Sequence, residues 1–317
     1  MADAASGKTQ KIWRDGDLVN WDDATLHVMS HVVHYGSSVF EGIRCYATPT
    51  GGAVFRLREH MRRLLDSSKI YRFPLRYSVD ELMQATVDTI SANELRECYI
   101  RPVVVRTGEQ MGFYPVGVPV ECFIICWKWG AYLGQEALTS GVDVRVSSWR
   151  RAAPDTFPTM AKAGGNYMNS GLSKVEAKQD DYSEGIMLDS FGFISEGSGE
   201  NLFLVRDEVL YTSQVGNGIL HGITRDTVMR LAKDMGLEVK EMQLPREMLY
   251  LADEAFFSGT AAEITPIRSV DRLPVGEGKP GEITKRIQQE FMGIAKGRIA
   301  DRHGWLTPVP VNAAVHS

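Results

Sequence analysis

A lysine among small residues is the first feature that could do chemistry. Lys162 lies in the segment 161–167, AKAGGNY, with an alanine on each side and two glycines after it. Surface lysines usually lie among polar residues, so this setting favours a buried amine. A desolvated lysine can act as a nucleophile or form a Schiff base. For this segment taken alone, a lysine in a surface loop is the alternative.

Three further segments combine glycine with polar groups. In 194–203, ISEGSGENLF, Glu196 lies beside glycines that let backbone approach a flat molecule closely. Residues 222–224, GIT, lead into a helical run, and free N–H groups at a helix start can bind phosphate. The alternative is that Thr224 is an ordinary N-cap. The small-residue turn 258–262, SGTAA, also suits backbone binding of an anion.

Together these four segments match the needs of one cofactor. A pyridoxal-phosphate (PLP) enzyme needs an amine, an acid that keeps the pyridine nitrogen protonated, a cradle for the phosphate and a slot for the substrate carboxylate. Each segment is weak by itself, and the alternative is a protein in which all four are only turns and caps. The combination predicts a PLP site.

Alternating and helical patterns predict the elements that position these segments. Asp15-Gly16 predicts a hairpin turn, and Ser78 with Glu81 predicts a capping box before a helix over 82–90. Further helices are predicted in 59–71, 225–235 and 282–296, and strands in 98–106, 122–128, 142–147, 184–188, 201–205 and 209–212. We expect a smaller N-terminal α/β domain over 1–129, a linker over 130–140, a larger PLP-binding domain over 141–317, and a loose tail over 308–317.

Composition limits the class of protein. The chain has 317 residues with 35 basic and 40 acidic side chains, so a nucleic-acid footprint is not indicated. No apolar run approaches the ~18 residues of a membrane span, and we expect no secretory signal from the polar segment 1–10. The four cysteines suit core thiols in a reducing cytoplasm. His27, His31 and His34 could share a helical face, but no matching acid or cysteine accompanies them, so no metal is predicted.

Long phrases of the sequence identify a family. HYGSSVFEGIRCY, AKAGGNY, ISEGSGENLF, GITRD and SGTAAEITPIRSVD make the chain resemble bacterial branched-chain amino-acid aminotransferases, and the resemblance runs from Trp13 to about Trp305. Those enzymes belong to the class IV, D-alanine-transaminase-like fold. The resemblance implies a mixed α/β (α+β) protein, a two-domain fold-type IV PLP enzyme with the cofactor at the domain interface.

The resemblance also implies cofactor roles. Lys162 matches the Schiff-base lysine, which also moves the proton, and Glu196 matches the acid paired with the pyridine nitrogen. Tyr167 matches the tyrosine that faces the phenolic oxygen. The residues that match the phosphate site are Arg63, Ile223, Thr224 and Thr260.

Substrate recognition centres on the phrase YIR. On a strand, Tyr99 and Arg101 point to the same face. The resemblance implies that Tyr99 and the Thr260-Ala261 turn receive the α-carboxylate, and that Arg101 receives the distal carboxylate of glutamate. The residues matched to the side-chain pocket are Tyr35, Phe40, Gly42, Met111, Trp129 and Tyr132. Tyr35 and the Met111–Phe113 loop are expected to complete the pocket of a neighbouring subunit, in a homo-oligomer that is a dimer or a hexamer.

The expected activity is amino transfer between L-leucine, L-isoleucine or L-valine and 2-oxoglutarate. One alternative on the same fold is a D-amino-acid or (R)-amine transaminase, or aminodeoxychorismate lyase; the intact YIR phrase favours L-amino acids. A second alternative is a PLP-binding protein without turnover.

Overall fold

A computed structural model describes residues 7–130, 132–134 and 136–310 of the chain. They form two compact units. Unit 1 contains residues up to Trp129, with 161–165 and the segment from Gly293 onwards, and unit 2 contains 130–160 and 166–292. Unit 1 thus includes two segments that lie within the predicted C-terminal domain. Ala131 and Gln135 of the predicted linker, and 311–317 of the predicted tail, lie outside the described residues.

The helices carry the labels α1 to α8 in chain order. Their bounds are α1 (His31–Tyr35), α2 (Leu57–Ile70), α3 (Val79–Ala92), α4 (Ala137–Ser140), α5 (Asn166–Gln179), α6 (Ile223–Asp234), α7 (Met248–Leu251) and α8 (Glu282–Ala295). The helices predicted in 59–71, 82–90, 225–235 and 282–296 are confirmed as α2, α3, α6 and α8. None of the helices in the described ranges is long and apolar enough to cross a membrane.

The strands carry the labels β1 to β17. Their bounds are β1 (Lys11–Arg14), β2 (Asp17–Asn20), β3 (Ser38–Phe40), β4 (Ile43–Thr48), β5 (Gly51–Phe55), β6 (Cys98–Arg106), β7 (Val120–Trp127), β8 (Val142–Val146), β9 (Glu184–Leu188), β10 (Ile194–Gly197), β11 (Asn201–Arg206), β12 (Val209–Ser213), β13 (Val239–Met242), β14 (Glu254–Gly259), β15 (Glu263–Val270), β16 (Leu273–Pro274) and β17 (Leu306–Val309).

Unit 1 is built on one sheet with strand order β17-β5-β4-β6-β7-β1-β2, and β3 pairs with β6. The predicted hairpin is confirmed as β1–β2, in which Arg14 pairs with Asp17 across the Asp15-Gly16 turn. The prediction of a loose tail is wrong at its start, because Pro308 pairs with Ala53 in β17. A proline fits there because β17 is an edge strand, where a missing N–H costs no ladder bond.

The core of unit 1 lies between this sheet and two helices. Leu57, Met61 and Leu64 of α2 are fully buried, since spacings of three and four residues place them on one helix face. They join strand residues such as Ile100 and Ile124 in one hydrophobic cluster. At the start of α3, Ser78 and Glu81 form the predicted capping box. All four cysteines are buried and form no disulfide.

Unit 2 is built on a second sheet with strand order β10-β9-β8-β15-β14-β11-β12-β13, and β16 pairs with β15. Its central strands β14 and β11 are buried nearly throughout and pair antiparallel from Asn201↔Ser258 to Val205↔Glu254. Phe256 and Phe203 face each other in this pairing, with their rings stacked at 5.1 Å. The ends of β10, β11 and β14 therefore lie close to one another and carry the polar residues described next.

Candidate active site

Lys162 is held by the backbone of unit 1. The N–H of Phe40 donates to the carbonyl of Lys162 at 2.9 Å, and the N–H of Lys162 donates to Ser67 Oγ at 3.0 Å. The neighbouring alanines are buried, and Ala163 forms an antiparallel bridge to Val39. The Nζ atom lies 5.1 Å from the centroid of the Phe40 ring. The small neighbours therefore dock the main chain, while Lys162 itself is half-buried.

Arg63 is held by a buried carboxylate. Its Nε and Nη2 atoms donate to the two oxygens of Glu41 at 2.6 and 2.8 Å, and His60 Nδ1 lies 2.7 Å from Glu41 Oε2. Burial alone would raise the pKa of Glu41, but the charge and hydrogen bonds of Arg63 hold it below its ordinary value. Burial lowers the pKa of His60, so its ring is neutral at pH 7.

Glu41 and His60 were missed by the sequence analysis. The available signal was weak: an acid directly after Phe40 in the phrase FEGIR, and a histidine three residues before Arg63 on a helix. Residues at i and i+3 share a helix face, which places His60 beside Arg63. No spacing rule, however, links either of them to residue 41.

Tyr99 and Arg101 meet on one face of β6, as the strand spacing predicted. Arg101 Nη2 donates to the Tyr99 oxygen at 3.2 Å, and the Arg101 guanidinium lies 4.6 Å from the Phe40 centroid. Within the described ranges, the buried Nε of Arg101 has no hydrogen-bond partner. Such a buried donor is costly unless it is satisfied, so it is available to an anionic ligand.

Gly42 and Trp129 border this pair. A Cβ on Gly42 would come within 2.1 Å of the Tyr99 oxygen, so a larger residue would displace the phenol. The Trp129 ring meets the Tyr99 ring edge-on at 4.5 Å. These contacts fix the Tyr99 hydroxyl beside Arg101.

Tyr35 lies against an exposed loop. Its oxygen accepts a hydrogen bond from the N–H of Gly112 at 3.2 Å, and its ring packs edge-on against Phe113 at 5.5 Å. Met111 is 53%, Phe113 91% and Tyr114 80% exposed. The structure thus places Tyr35 against the exposed loop that carries Met111.

In unit 2, Glu196 is a buried acid whose carboxylate binds Arg151, Asn201 and the backbone of Leu220. Arg151 Nη2 lies 2.8 Å from its Oε1, and Oε2 accepts hydrogen bonds from Asn201 Nδ2 at 2.9 Å and the N–H of Leu220 at 3.0 Å. The pairing of β10 with β9 shifts register between Ile194 and Glu196, as at a β-bulge. Arg151 and Asn201 were also missed by the sequence analysis.

A second buried acid follows Glu196 closely in the chain. Burial, and then the charge of Glu184, raise the pKa of Glu200 to about 8, so Glu200 is largely protonated at pH 7. Glu184 is paired with Lys174, whose Nζ lies 5.1 Å from the centroid of the Tyr132 ring. Tyr132, a predicted substrate residue, is thereby linked to this acidic group.

The remaining predicted residues lie at element ends of unit 2. α6 begins at Ile223 with Thr224 in its first turn; the N-cap is Gly222, which makes no side-chain cap, so the reading of Thr224 as the N-cap is wrong. A Cβ on Gly222 would come within 1.9 Å of Asn201 Oδ1. Thr260 and Ala261 form the turn between β14 and β15, and Tyr167 lies in the first turn of α5.

These donor sets fit pyridoxal phosphate. In unit 1 a half-buried amine and an arginine suit an aldehyde and a phosphate. In unit 2 a buried carboxylate suits a pyridinium nitrogen, and a helix start and a threonine-bearing turn suit phosphate oxygens.

Comparisons with known proteins agree with this chemistry. The family described as amino-transferase class IV matches residues 38–270. The chain is 57% identical over 303 residues to the branched-chain-amino-acid aminotransferase of Salmonella typhimurium, covering 95% of this chain and 98% of that protein.

Solved structures agree as well. The chain is similar to the crystal structure of the Escherichia coli branched-chain amino acid aminotransferase, with a TM-score of 0.93, 56% identity and coverage of 96% of this chain and 100% of that one. It is also similar to the T.th. branched-chain amino acid aminotransferase complexed with N-(5'-phosphopyridoxyl)-L-glutamate. The TM-score there is 0.91 and the identity 42%, over 96% of this chain and 99% of that one.

Proposed function

The chain belongs to the class IV aminotransferases as a branched-chain-amino-acid aminotransferase, and on that premise we propose which of its residues carry the activity. It transfers an amino group between L-leucine, L-isoleucine or L-valine and 2-oxoglutarate, with PLP as cofactor. The assignment of Lys162 rests on how it is held. Its backbone forms hydrogen bonds with Phe40 and Ser67, and its amine lies over the Phe40 ring. A D-amino-acid activity is not favoured.

PLP, when bound, supplies an aldehyde that takes up the amino group and a pyridine ring that withdraws electrons. Lys162 would hold the aldehyde group of the cofactor through Nζ and would carry the substrate proton at that atom. Glu196 would hold a proton at the pyridine nitrogen, and Arg151, 2.8 Å from its carboxylate, orients this side chain. Tyr167 would bind the phenolic oxygen. The phosphate ligands that we propose are Arg63, Ile223, Thr224 and Thr260.

The proposed substrate contacts follow from the YIR strand. Tyr99, with the Thr260-Ala261 turn, receives the α-carboxylate. Arg101 receives the distal carboxylate of glutamate, and its buried Nε, which has no hydrogen-bond partner among the described residues, supports this role. The apolar side chain is received by a pocket to which we assign Tyr35, Phe40, Gly42, Met111, Trp129 and Tyr132. Such a pocket separates substrates by only about 1–3 kcal/mol per methylene, so all three branched-chain amino acids react.

We also propose an oligomeric state, domain bounds and a cellular location for the protein. The exposed aromatic loop with Met111, Phe113 and Tyr114 supports a homo-oligomer, at least a dimer, in which Tyr35 and Met111 serve a neighbouring subunit. We propose residues 1–129 and 141–317 as the two domains, joined by 130–140, although 161–165 and the segment from Gly293 onwards fold with unit 1. The buried free cysteines support a reducing cytoplasm.

The half-reaction tests this function. L-Leucine added to the PLP-loaded enzyme should convert the cofactor to its pyridoxamine form, and 2-oxoglutarate should reverse the conversion. Lys162→Ala should abolish both, whereas Lys178→Ala, at an exposed lysine of α5, should change neither. Conversion by D-alanine or an (R)-amine, and none by L-leucine, would overturn the substrate assignment.

A further inference from the structure

The position of Arg63 depends on two other buried side chains, Glu41 and His60. Glu41, fully buried, binds it through two hydrogen bonds, and His60, 2% exposed, binds the same carboxylate. We propose that Glu41 and His60 are positioning residues that aim the Arg63 guanidinium at the phosphate group of the cofactor. This inference rests on the proposed function, in which Arg63 is a phosphate ligand.

The two hydrogen bonds fix a direction. A guanidinium is planar, so binding through Nε at 2.6 Å and Nη2 at 2.8 Å sets both its plane and the direction of the third nitrogen. An arginine held at only one point could rotate about its long side chain. Arg63 is therefore oriented before any ligand arrives, which lowers the entropic cost of binding.

His60 provides a further hydrogen bond to the Glu41 carboxylate. Since its ring is neutral, the nitrogen that faces Glu41 carries the proton and donates to Oε2. The three side chains then hold one negative and one positive charge, so the group is neutral as a whole. The N–H of Glu41 donates to the carbonyl of Pro102 at 2.8 Å, which anchors the carboxylate from the backbone.

The same elements hold Lys162. His60, Arg63 and Ser67 lie at i, i+3 and i+7 of α2, on one helix face. Ser67 accepts from the N–H of Lys162, while Phe40, the residue before Glu41, donates to its carbonyl. The helix α2 and the segment Phe40-Glu41 therefore bind both the Arg63 guanidinium and the Lys162 backbone. A buried ion pair is a poor device for stability alone, which favours this functional role.

The decisive measurement compares two ligands that differ only in phosphate. PLP and pyridoxal are titrated separately into cofactor-free wild type and Glu41→Gln, following the change in protein fluorescence. Glu41→Gln should weaken PLP binding about 10- to 100-fold, as expected for loss of charge-assisted hydrogen bonds, and leave pyridoxal binding within about twofold. Glu59→Gln, a change on the same helix outside this group, should affect neither ligand. Equal weakening of PLP and pyridoxal would overturn the proposal.

Coupling to Arg63 gives an independent criterion. In an Arg63→Gln background, Glu41→Gln should cost no further PLP affinity, because the guanidinium it orients is gone. Additive losses would contradict the proposal. If Glu41→Gln does not fold, His60→Leu replaces it: PLP affinity should fall, and His60→Asn, which can still donate to Glu41, should restore most of it.

The test separates this inference from the function it rests on. If wild type binds PLP no better than pyridoxal, or fails the half-reaction with L-leucine, the proposed function itself is wrong. If wild type prefers PLP to pyridoxal, and the Glu41→Gln and His60→Leu variants show the same preference, only the positioning role is wrong.

Discussion

The Nζ atom of Lys162 lies 5.1 Å from the centroid of the Phe40 ring, and Phe40 also binds the Lys162 carbonyl through its N–H. The guanidinium of Arg101 lies 4.6 Å from the same centroid. One aromatic ring therefore contacts both the proposed catalytic amine and the proposed substrate arginine. Phe40 thus contacts both cations, in addition to its proposed place in the apolar pocket.

Removing this ring should impair the glutamate side of the reaction. A cation over an aromatic face is worth about 0.5–2 kcal/mol, so Phe40→Leu should lower kcat/KM for L-glutamate by about 2- to 30-fold. Phe40→Tyr keeps the ring and should retain most of the activity. Steady-state kinetics of the three proteins would check this, and equal values for the leucine and tyrosine variants would refute it.

Arg101 should discriminate between the two amino donors. Loss of a hydrogen-bonded charge costs about 1.5–3 kcal/mol, so Arg101→Met should slow the half-reaction with L-glutamate by about 10- to 150-fold. The half-reaction with L-leucine should change only a few fold, because its side chain carries no charge. Stopped-flow absorbance with each donor measures both, and the exposed Arg96→Met is the control. Equal slowing with both donors would argue against this role.

Arg151 should matter for stability because Glu196 is buried. Leaving a buried acid without its cation costs about 3–5 kcal/mol, so Arg151→Met should reduce the free energy of unfolding by that order. Glu196→Gln in the same chain should recover part of the loss. The matched control is Arg230→Met, which breaks the exposed pair with Asp226 and should cost at most about 1 kcal/mol. Urea denaturation measures the free energy of unfolding of each variant. Equal losses for the two arginine variants would contradict this prediction.

Glu200 should make stability depend on pH. Its pKa rises from an ordinary 4.5 to about 8, so between these values the folded protein holds a proton that the unfolded chain has released. Stability from this group therefore falls as pH rises through that window. Glu200→Gln should gain stability relative to wild type between about pH 5 and pH 8. Urea midpoints across this range test the sign, with the exposed Glu208→Gln as control; a constant difference would refute it.

The aromatic loop should be required for association. Phe113→Asp places a charge on a side chain that is 91% exposed in the single chain, so it should cost little stability yet weaken the proposed oligomer. Sedimentation velocity should show smaller species for this variant. Phe191→Asp, at a side chain 77% exposed in the β9–β10 turn, should leave the oligomer intact. An unchanged sedimentation profile for Phe113→Asp would exclude this loop from the interface.

Local patterns determined much of this protein without its structure. The Asp15-Gly16 hairpin and the Ser78–Glu81 capping box each involve residues within a few positions of one another, so short-range rules suffice. The meeting of Tyr99 and Arg101 follows from the two-residue period of a strand. The phrases around Lys162 and Glu196 identified the family, and with it the chemistry, before any geometry was known.

Only the tertiary structure decided which side chains form hydrogen bonds and ion pairs with these residues. The Glu41–Arg63 bonds span 22 positions, and the Arg151–Glu196 pair joins segments that depend on strand order in a sheet. The segment 161–165 leaves its sequence neighbours to join unit 1 through Val39 and Phe40. No sequence periodicity predicts such partners, because the course of the whole chain decides which distant segments form hydrogen bonds with each other. The sequence thus predicted the family and its chemistry, and the fold decided how the side chains are oriented.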